Sequence, residues 1–310
     1  MHDCDIIVAV RNLDGTIDSR YIQPLNDFLY KHPSPEIVKR LRGEELFDLL
    51  ANDLGIVRVE CEKLKLNYIK PGQRKDVRPE VMILLGRLAE ALIVRRCNQD
   101  AKKNRVWASY ARRGNQVSSL DNYIAIGTGF ASTKNNILYK TKYSPNDTQR
   151  DIIWVKKDEP MKELSMGTKR NGGYPVGLQI KVSRNKDSVF NNLSNKTYAV
   201  PVVYFDLNRD FTKVAEKLRQ ETLLFAENNW KIGEDLICGR DVDPELHDNL
   251  LQFLPLIELL LKGKIELADL LEEIPEFDTA IKSRFIETTG IGLQLHQQKK
   301  QQIEILTLPI

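Results

Sequence analysis

The sequence is poor in the residues that build thiolate and imidazole metal sites. Four cysteines, Cys4, Cys61, Cys97 and Cys238, are scattered through 310 residues with no Cys-x-x-Cys pair. A structural zinc site needs close pairs that converge on one ion, so the expectation is reduced, packed thiols in a cytoplasmic protein. The four histidines, His2, His32, His247 and His296, have neither metal-ligand nor HNH-type spacing. No serine stands in a Gly-x-Ser-x-Gly elbow, which leaves a hydrolase triad without support. Gly127-Thr128-Gly129 resembles a phosphate-cradling turn, but no Gly-Lys-Ser/Thr follows. It reads as a turn between strands, and no nucleotide cofactor is expected. Asp241-Val242-Asp243-Pro244-Glu245 has the acids of a calcium loop without its downstream ligands, and its proline favours a helix N-cap. No apolar run reaches 18 residues, so no membrane partner is expected. The acidic opening Met1-His2-Asp3-Cys4-Asp5 lacks the basic region of a secretory signal.

What is present is ordinary in total and uneven in distribution. Hydrophobic residues make up 42% and charged residues 29%, which excludes disorder over most of the chain. A chain of this length corresponds to roughly two domains and can bury a core without disulfides. The net charge of +3 hides a partition. Residues 1–94 carry net −1, residues 95–200 net +12, and residues 201–310 net −8. The densest basic stretch holds Arg95, Arg96, Lys102, Lys103, Arg105, Arg112 and Arg113 against Asp100 alone, with Trp107 and Tyr110 inside it. Such a surface suits a polyanion, because each neutralised phosphate releases condensed counterions and flat rings can stack on bases. The alternative is a solvated basic face or a partner for the acidic third.

Hydrophobic spacing and punctuation give a coarse element map. Residues 6–10 (IIVAV) read as a short strand or a buried helical turn. A helix is expected from about Glu36 to Leu54, stopped by Gly55, and a strand within Val57–Ile69. Pro79 in a first turn and Glu80 at the positive end of the dipole open the clearest helix, over Val81–Val94. Only Arg87 and Glu90 interrupt its apolar run. Between 120 and 207 the pattern turns to short β-prone runs: Tyr123–Ile126, Ile137–Tyr139, Ile152–Val155, Val176–Val182 and Tyr198–Leu207. Asn171-Gly172-Gly173 is the strongest turn signal. Helices return at Phe211–Glu227 and Pro244–Lys262, the second with a kink at Pro255. Shorter helices and a glutamine-rich irregular tail are expected over 264–310. No internal repeat is visible.

Three places combine polar chemistry with apolar surroundings. In Gly177-Leu178-Gln179-Ile180-Lys181-Val182-Ser183 the period of two puts Leu178, Ile180 and Val182 on one face and Gln179, Lys181 and Ser183 on the other. Polar residues around a lysine on a strong β-run fit a catalytic strand, and they also fit an ordinary half-buried or edge strand. Asp151 stands at the mouth of the apolar strand Ile152–Val155, where a strand-end or turn carboxylate is the commoner role. Glu90 lies deep in the apolar helix, where the plain reading is an i, i+3 pair with Arg87.

Glu90 in an apolar helix, Asp151 opening a strand and Gln179-x-Lys181 in a second strand resemble the PD-(D/E)XK nuclease superfamily. The Gln-x-Lys variant is similar to Mrr-type restriction enzymes. The resemblance covers roughly residues 79–230, as helix, strand, hairpin, strand, strand and helix plus four side chains. Arg150 stands where a proline commonly precedes the aspartate, glutamine replaces the usual third acid, and 28 residues separate Asp151 from Gln179. The resemblance implies an α/β restriction-endonuclease-like core over 79–229, a mixed central sheet flanked by helices. An N-terminal accessory region (1–78) and an acidic helical C-terminal region (230–310) would flank it. It implies Mg²⁺ (with Mn²⁺ as a substitute) held by Asp151, Gln179 and Glu90, and Lys181 positioning the attacking water or stabilising developing charge. With glutamine the site has one negative charge fewer, which weakens a second metal. The implied function is an endonuclease of restriction or defence type acting on DNA as a homodimer. Two alternatives stand beside it: an inactive nucleic-acid-binding or assembly protein of the same fold, and a nuclease for RNA or structured DNA.

Overall fold

The computed structural model describes residues 4–12, 17–24, 35–60, 63–68, 76–115, 118–166, 174–194, 198–224, 230–271, 294–297 and 301–309. The architecture is mixed α/β. It divides into a terminal unit (1–51, 56–77 and 251–310) and a central unit (52–55 and 78–250). The grouping differs from three consecutive parts, because both ends of the chain fall in one unit.

In the terminal unit, the strand Cys4–Asn12 pairs antiparallel with Ile17–Pro24 on one side and Gln301–Pro309 on the other. Gln294–Gln297 adds a fourth strand. This differs from the expected irregular, helical tail: alternating Ile303, Ile305 and Thr307 supply β-branched residues at the spacing a ladder uses. The Glu36–Leu54 expectation corresponds to the helix Pro35–Asp48 and a five-residue π-turn, Leu49–Asp53. The expected strand at 57–69 is two short strands, Val57–Glu60 and Lys63–Leu66, paired as a hairpin.

The central unit opens with α1 (Arg78–Gln99), which runs past the expected helix at both ends and carries Pro79 and Glu80 in its first turn. Leu84, Leu85, Leu88, Ala91, Leu92 and Ile93 are buried, whereas Ile83 is exposed. Asp100 starts α2 (Ala101–Ala111), its carboxylate accepting from the Lys102 amide at 2.6 Å. The strands that build the site follow: β1 (Tyr123–Gly127), β2 (Ile152–Lys156), β3 (Gln179–Ser183), β4 (Val202–Asp206) and β5 (Leu236–Cys238). β1 and β2 are antiparallel, while β3, β4 and β5 form a parallel sheet with β4 in the middle. One antiparallel bridge, Ile152 to Leu178, joins the hairpin to that sheet. The resulting order is 1-2-3-4-5, with β2 alone reversed.

Helices α3 (Lys186–Ser194) and α4 (Phe211–Leu224) bury Val189, Leu193, Val214 and Leu218 against Val202 and Tyr204 of β4. α1 packs against β1 and against β3, the strand that carries Lys181.

The β-prone run Ile137–Tyr139 is not a strand. It is a turn in which the Asn136 side-chain oxygen accepts from the Leu138 amide at 2.9 Å, and Ile137 and Leu138 are exposed. A local side-chain bond of this kind competes directly with a strand ladder. The helix Pro244–Leu261 runs through Pro255, its N-terminus capped by Asp243, whose carboxylate accepts from the Leu246 amide. That is the N-cap role expected of Asp243. Cys97 and Cys238 are buried free thiols. Residues 171–173, Cys61 and the side chain of Cys4 lie outside the described residues. No helix among the described residues is long and apolar enough to cross a membrane.

Candidate active site

The site is assembled where the hairpin meets the parallel sheet. The Leu178 amide donates to the Ile152 carbonyl at 2.9 Å, and the Leu178 carbonyl accepts from the Asp151 amide at 2.9 Å and the Ile152 amide at 3.2 Å. Gly177 makes this approach feasible, because a Cβ there would stand 2.8 Å from the Ile152 carbonyl oxygen. On the other flank, the Thr128 amide donates to the Asp151 carbonyl at 2.9 Å and the Thr128 hydroxyl to the Arg150 carbonyl at 2.7 Å. Gly127-Thr128-Gly129 is thus the end of β1 and the turn beyond it, fixing the backbone of Asp151.

The Asp151 side chain is held by β3. Its Oδ2 accepts from the Ile180 amide and from Gln179 Nε2, both at 2.6 Å. Residues 28 positions apart therefore meet directly. Gln179 is buried, and its Oε1 has no hydrogen-bond partner. A buried amide oxygen in that state is costly unless something binds it. Burial pushes the Asp151 carboxyl up to about 6, against the pull of the Ile180 and Gln179 hydrogen bonds and of Lys181, with Asp147 adding to the rise. Glu90 keeps part of its surface open. It is nonetheless raised well above the usual carboxylate range, first by loss of water and then by the Asp151 charge, with Arg87 and Lys181 opposing. Glu90 thus feels the charges of Asp151 and Lys181 as well as that of Arg87. Lys181 is half-buried, with its Nζ 4.9 Å from the centroid of the Tyr198 ring.

Several contributors were invisible in the sequence. Tyr198 reaches Lys181 from beyond α3. Glu163, within the segment between β2 and β3, accepts from Arg150 and Lys142, each at 2.7 Å. Burial works to raise the Glu163 carboxyl, but those two cations hold it below its ordinary value. Glu163 thereby anchors Arg150, the residue before Asp151. Asp147 accepts from the amides of Gln149 and Arg150, a local turn that its aspartate and following polar residues could have signalled.

The basic run of α1 and α2 has a different fate. Arg95 pairs with Asp53, Arg96 with Asp243 at 2.7 Å and Glu245 at 3.1 Å, and Lys103 with Glu245 at 3.6 Å. Arg105 pairs with Asp121 at 2.6 Å, and Arg113 with Asp235. Arg112 donates to the Asn115 carbonyl, and Lys102 is exposed. Trp107 is fully buried, its ring unavailable to a base. Five of the seven cations therefore face carboxylates, three of them drawing on the acidic third.

Among the described residues no three His, Cys, Asp or Glu side chains are grouped to hold a metal ion. A cation beside Asp151 would rest on two carboxylates, the Gln179 amide oxygen and water. Compared with protein-family models, curated proteins and solved structures, the chain matches none of them.

Proposed function

We propose that the central unit is a Mg²⁺-dependent nuclease of the PD-(D/E)XK type that hydrolyses DNA phosphodiester bonds. The carrying observation is the Asp151 carboxylate gripped by the first two residues of the strand that bears Lys181, with the Gln179 Oε1 acceptor left unpartnered beside it. The succession of α1, the β1–β2 hairpin, β3, α3, β4 and α4 supports a restriction-endonuclease-like core.

The residues present fit a hard divalent cation. Asp151, the Gln179 amide oxygen and Glu90 would hold it, and oxygen donors with several retained waters are what Mg²⁺ prefers. When bound, the ion supplies charge neutralisation at the scissile phosphate and lowers the proton affinity of a water. Asp151 and Glu90, both held above their ordinary range first by burial, with the Asp151 charge adding to the rise at Glu90, gain from a cation that lets them ionise together. Gln179 contributes a fixed oxygen and, through Nε2, orients the Asp151 carboxylate. Lys181, two residues along the same strand from Gln179, would orient the attacking water and counter charge that develops on the phosphate. A cut through both strands calls for two centres, so the reading includes a homodimer in the cytoplasm.

A substrate panel tests the reading: supercoiled plasmid, linear duplex, single-stranded DNA and RNA, each with Mg²⁺, Mn²⁺ or EDTA. Metal-dependent cutting of plasmid and duplex is expected. Cutting of RNA alone moves the substrate class. Retained DNA binding without cutting under any metal identifies an inactive binding protein of the same architecture.

A further inference from the structure

A lysine that serves a reaction centre has a long, flexible stem, and something must decide where its ammonium rests. Among the described residues no carboxylate lies within ion-pair distance of Lys181 Nζ, although Asp151 and Glu90 are close enough for their charges to act on one another and to feel that lysine. The defined neighbour of Nζ is the face of Tyr198, 4.9 Å to the ring centroid.

Tyr198 is fixed from several sides by the surroundings of the site. Its ring packs against the cluster of Val189, Leu193 and Val202. The next residue, Ala199, donates its amide to Gln149 Oε1 at 2.9 Å, two positions before Asp151. The Ala199 carbonyl accepts from Arg113 Nη2 at 3.0 Å, and Arg113 is itself paired with Asp235. Two residues further on, the Pro201 carbonyl accepts from the Gln179 amide at 3.0 Å. The segment carrying the ring is therefore tied both to the approach of Asp151 and to the start of the Lys181 strand.

We propose that Tyr198 is the positioning residue for Lys181. Its π face attracts the ammonium and restrains it short of an ion pair with either carboxylate, leaving it free to act on water and phosphate. The inference rests on the nuclease reading for its consequence in catalysis, but its geometry is independent of that reading. It also assigns Arg113 a task in holding the Tyr198 segment.

Two measurements on the full chain test it. The first reads geometry without activity: reductive ¹³C-methylation, with the Lys181 dimethyl resonance identified by its loss in Lys181→Arg. That resonance is expected upfield of exposed lysines through the ring current, and back among them in Tyr198→Leu. A Lys181 resonance already among the exposed lysines, or unmoved by Tyr198→Leu, overturns the proposal. The second reads rate, with thermal unfolding confirming that each variant folds. Tyr198→Leu is expected to lower kcat about tenfold with KM for DNA unchanged, and Tyr198→Phe to recover most of the loss. An unchanged kcat in Tyr198→Leu, a loss confined to KM, or equal losses in the leucine and phenylalanine variants overturns it. Absence of cutting by the unaltered protein counts against the nuclease reading, and the resonance shift then decides the positioning claim.

Discussion

The paired helices at Arg95–Arg113 and the strand end at Asp151 both gather charge in the central unit, but only the helices neutralise it. Along α1 and α2 most of the cations meet a carboxylate: Arg96 lies between Asp243 and Glu245, Arg105 beside Asp121, and Arg113 beside Asp235. At the strand end, two carboxylates are both raised by burial, Glu90 also by the Asp151 charge, with a buried amide oxygen lacking a partner. The first arrangement is neutralised as it stands, whereas the second, on the proposed reading, is completed by a ligand that carries positive charge. Charge density in a sequence therefore marks neither on its own, and the useful distinction is whether folding supplies the opposite charge.

The largest stability effect expected from the contrast is at Arg96. Its side chain and that of Asp243 are nearly buried, and Asp243 also caps the following helix. Arg96→Ala leaves that carboxylate buried without its cation and should cost about 3–5 kcal/mol in chemical denaturation. A loss below about 1 kcal/mol would mean the pair is solvated.

The opposite sign is expected at the strand end. Unfolded, Asp151 ionises near its ordinary value of 3.8, and folded near 6. The folded state binds the proton more tightly between those values, so this group's contribution to stability falls as pH rises through that window and stays low above it. Asp151→Asn removes the penalty while its amide oxygen can still accept from Ile180 and Gln179. In EDTA at pH 7.5 the variant should be more stable than the unaltered protein by about 1–3 kcal/mol, with the difference vanishing below pH 4. A variant less stable at pH 7.5 would show that hydrogen bonding to the charged form outweighs burial.

Magnesium should reverse that order. Saturating the unaltered protein to a hundred times its dissociation constant stabilises the fold by about 2.7 kcal/mol, and Asp151→Asn or Glu90→Gln should show a clearly smaller response in thermal unfolding. Equal responses in all three would place the cation elsewhere. The smallest effect is expected at Arg105, whose pair with Asp121 is about half exposed on both sides. Arg105→Ala should change stability by less than about 1 kcal/mol. If that face contacts phosphate, the salt dependence of DNA binding should become shallower by about one counterion.

The sequence shows parts of this clearly. The strands bearing Asp151 and Lys181 are readable because their apolar runs are fully buried and bounded by turn residues, and α1 because proline, acid and an apolar run agree. Asp151 and Gln179 could be matched only through a resemblance, since nothing local reveals that residues 28 apart share a hydrogen bond. Tyr198 was hidden for a similar reason: its meeting with Lys181 depends on a chain reversal through α3. The basic stretch was legible as charge but misleading as surface, because its partners Asp235, Asp243 and Glu245 lie over a hundred residues downstream. Ile137–Tyr139 has strand composition, but Asn136 diverts its backbone into a turn. The terminal strand Gln301–Pro309 is masked by glutamines that read as irregular although its β-branched residues alternate correctly.

The contrast between neutralised and unneutralised charge is tested most directly by plasmid cleavage in Mg²⁺ by three folded proteins: unaltered, Lys181→Ala and Arg105→Ala. The account predicts cutting by the unaltered protein, a rate lower by about 10²-fold or more in Lys181→Ala with DNA still bound, and a rate close to unaltered in Arg105→Ala. Equal cutting by Lys181→Ala and the unaltered protein, or no cutting by the unaltered protein with Mg²⁺ or Mn²⁺, would contradict it.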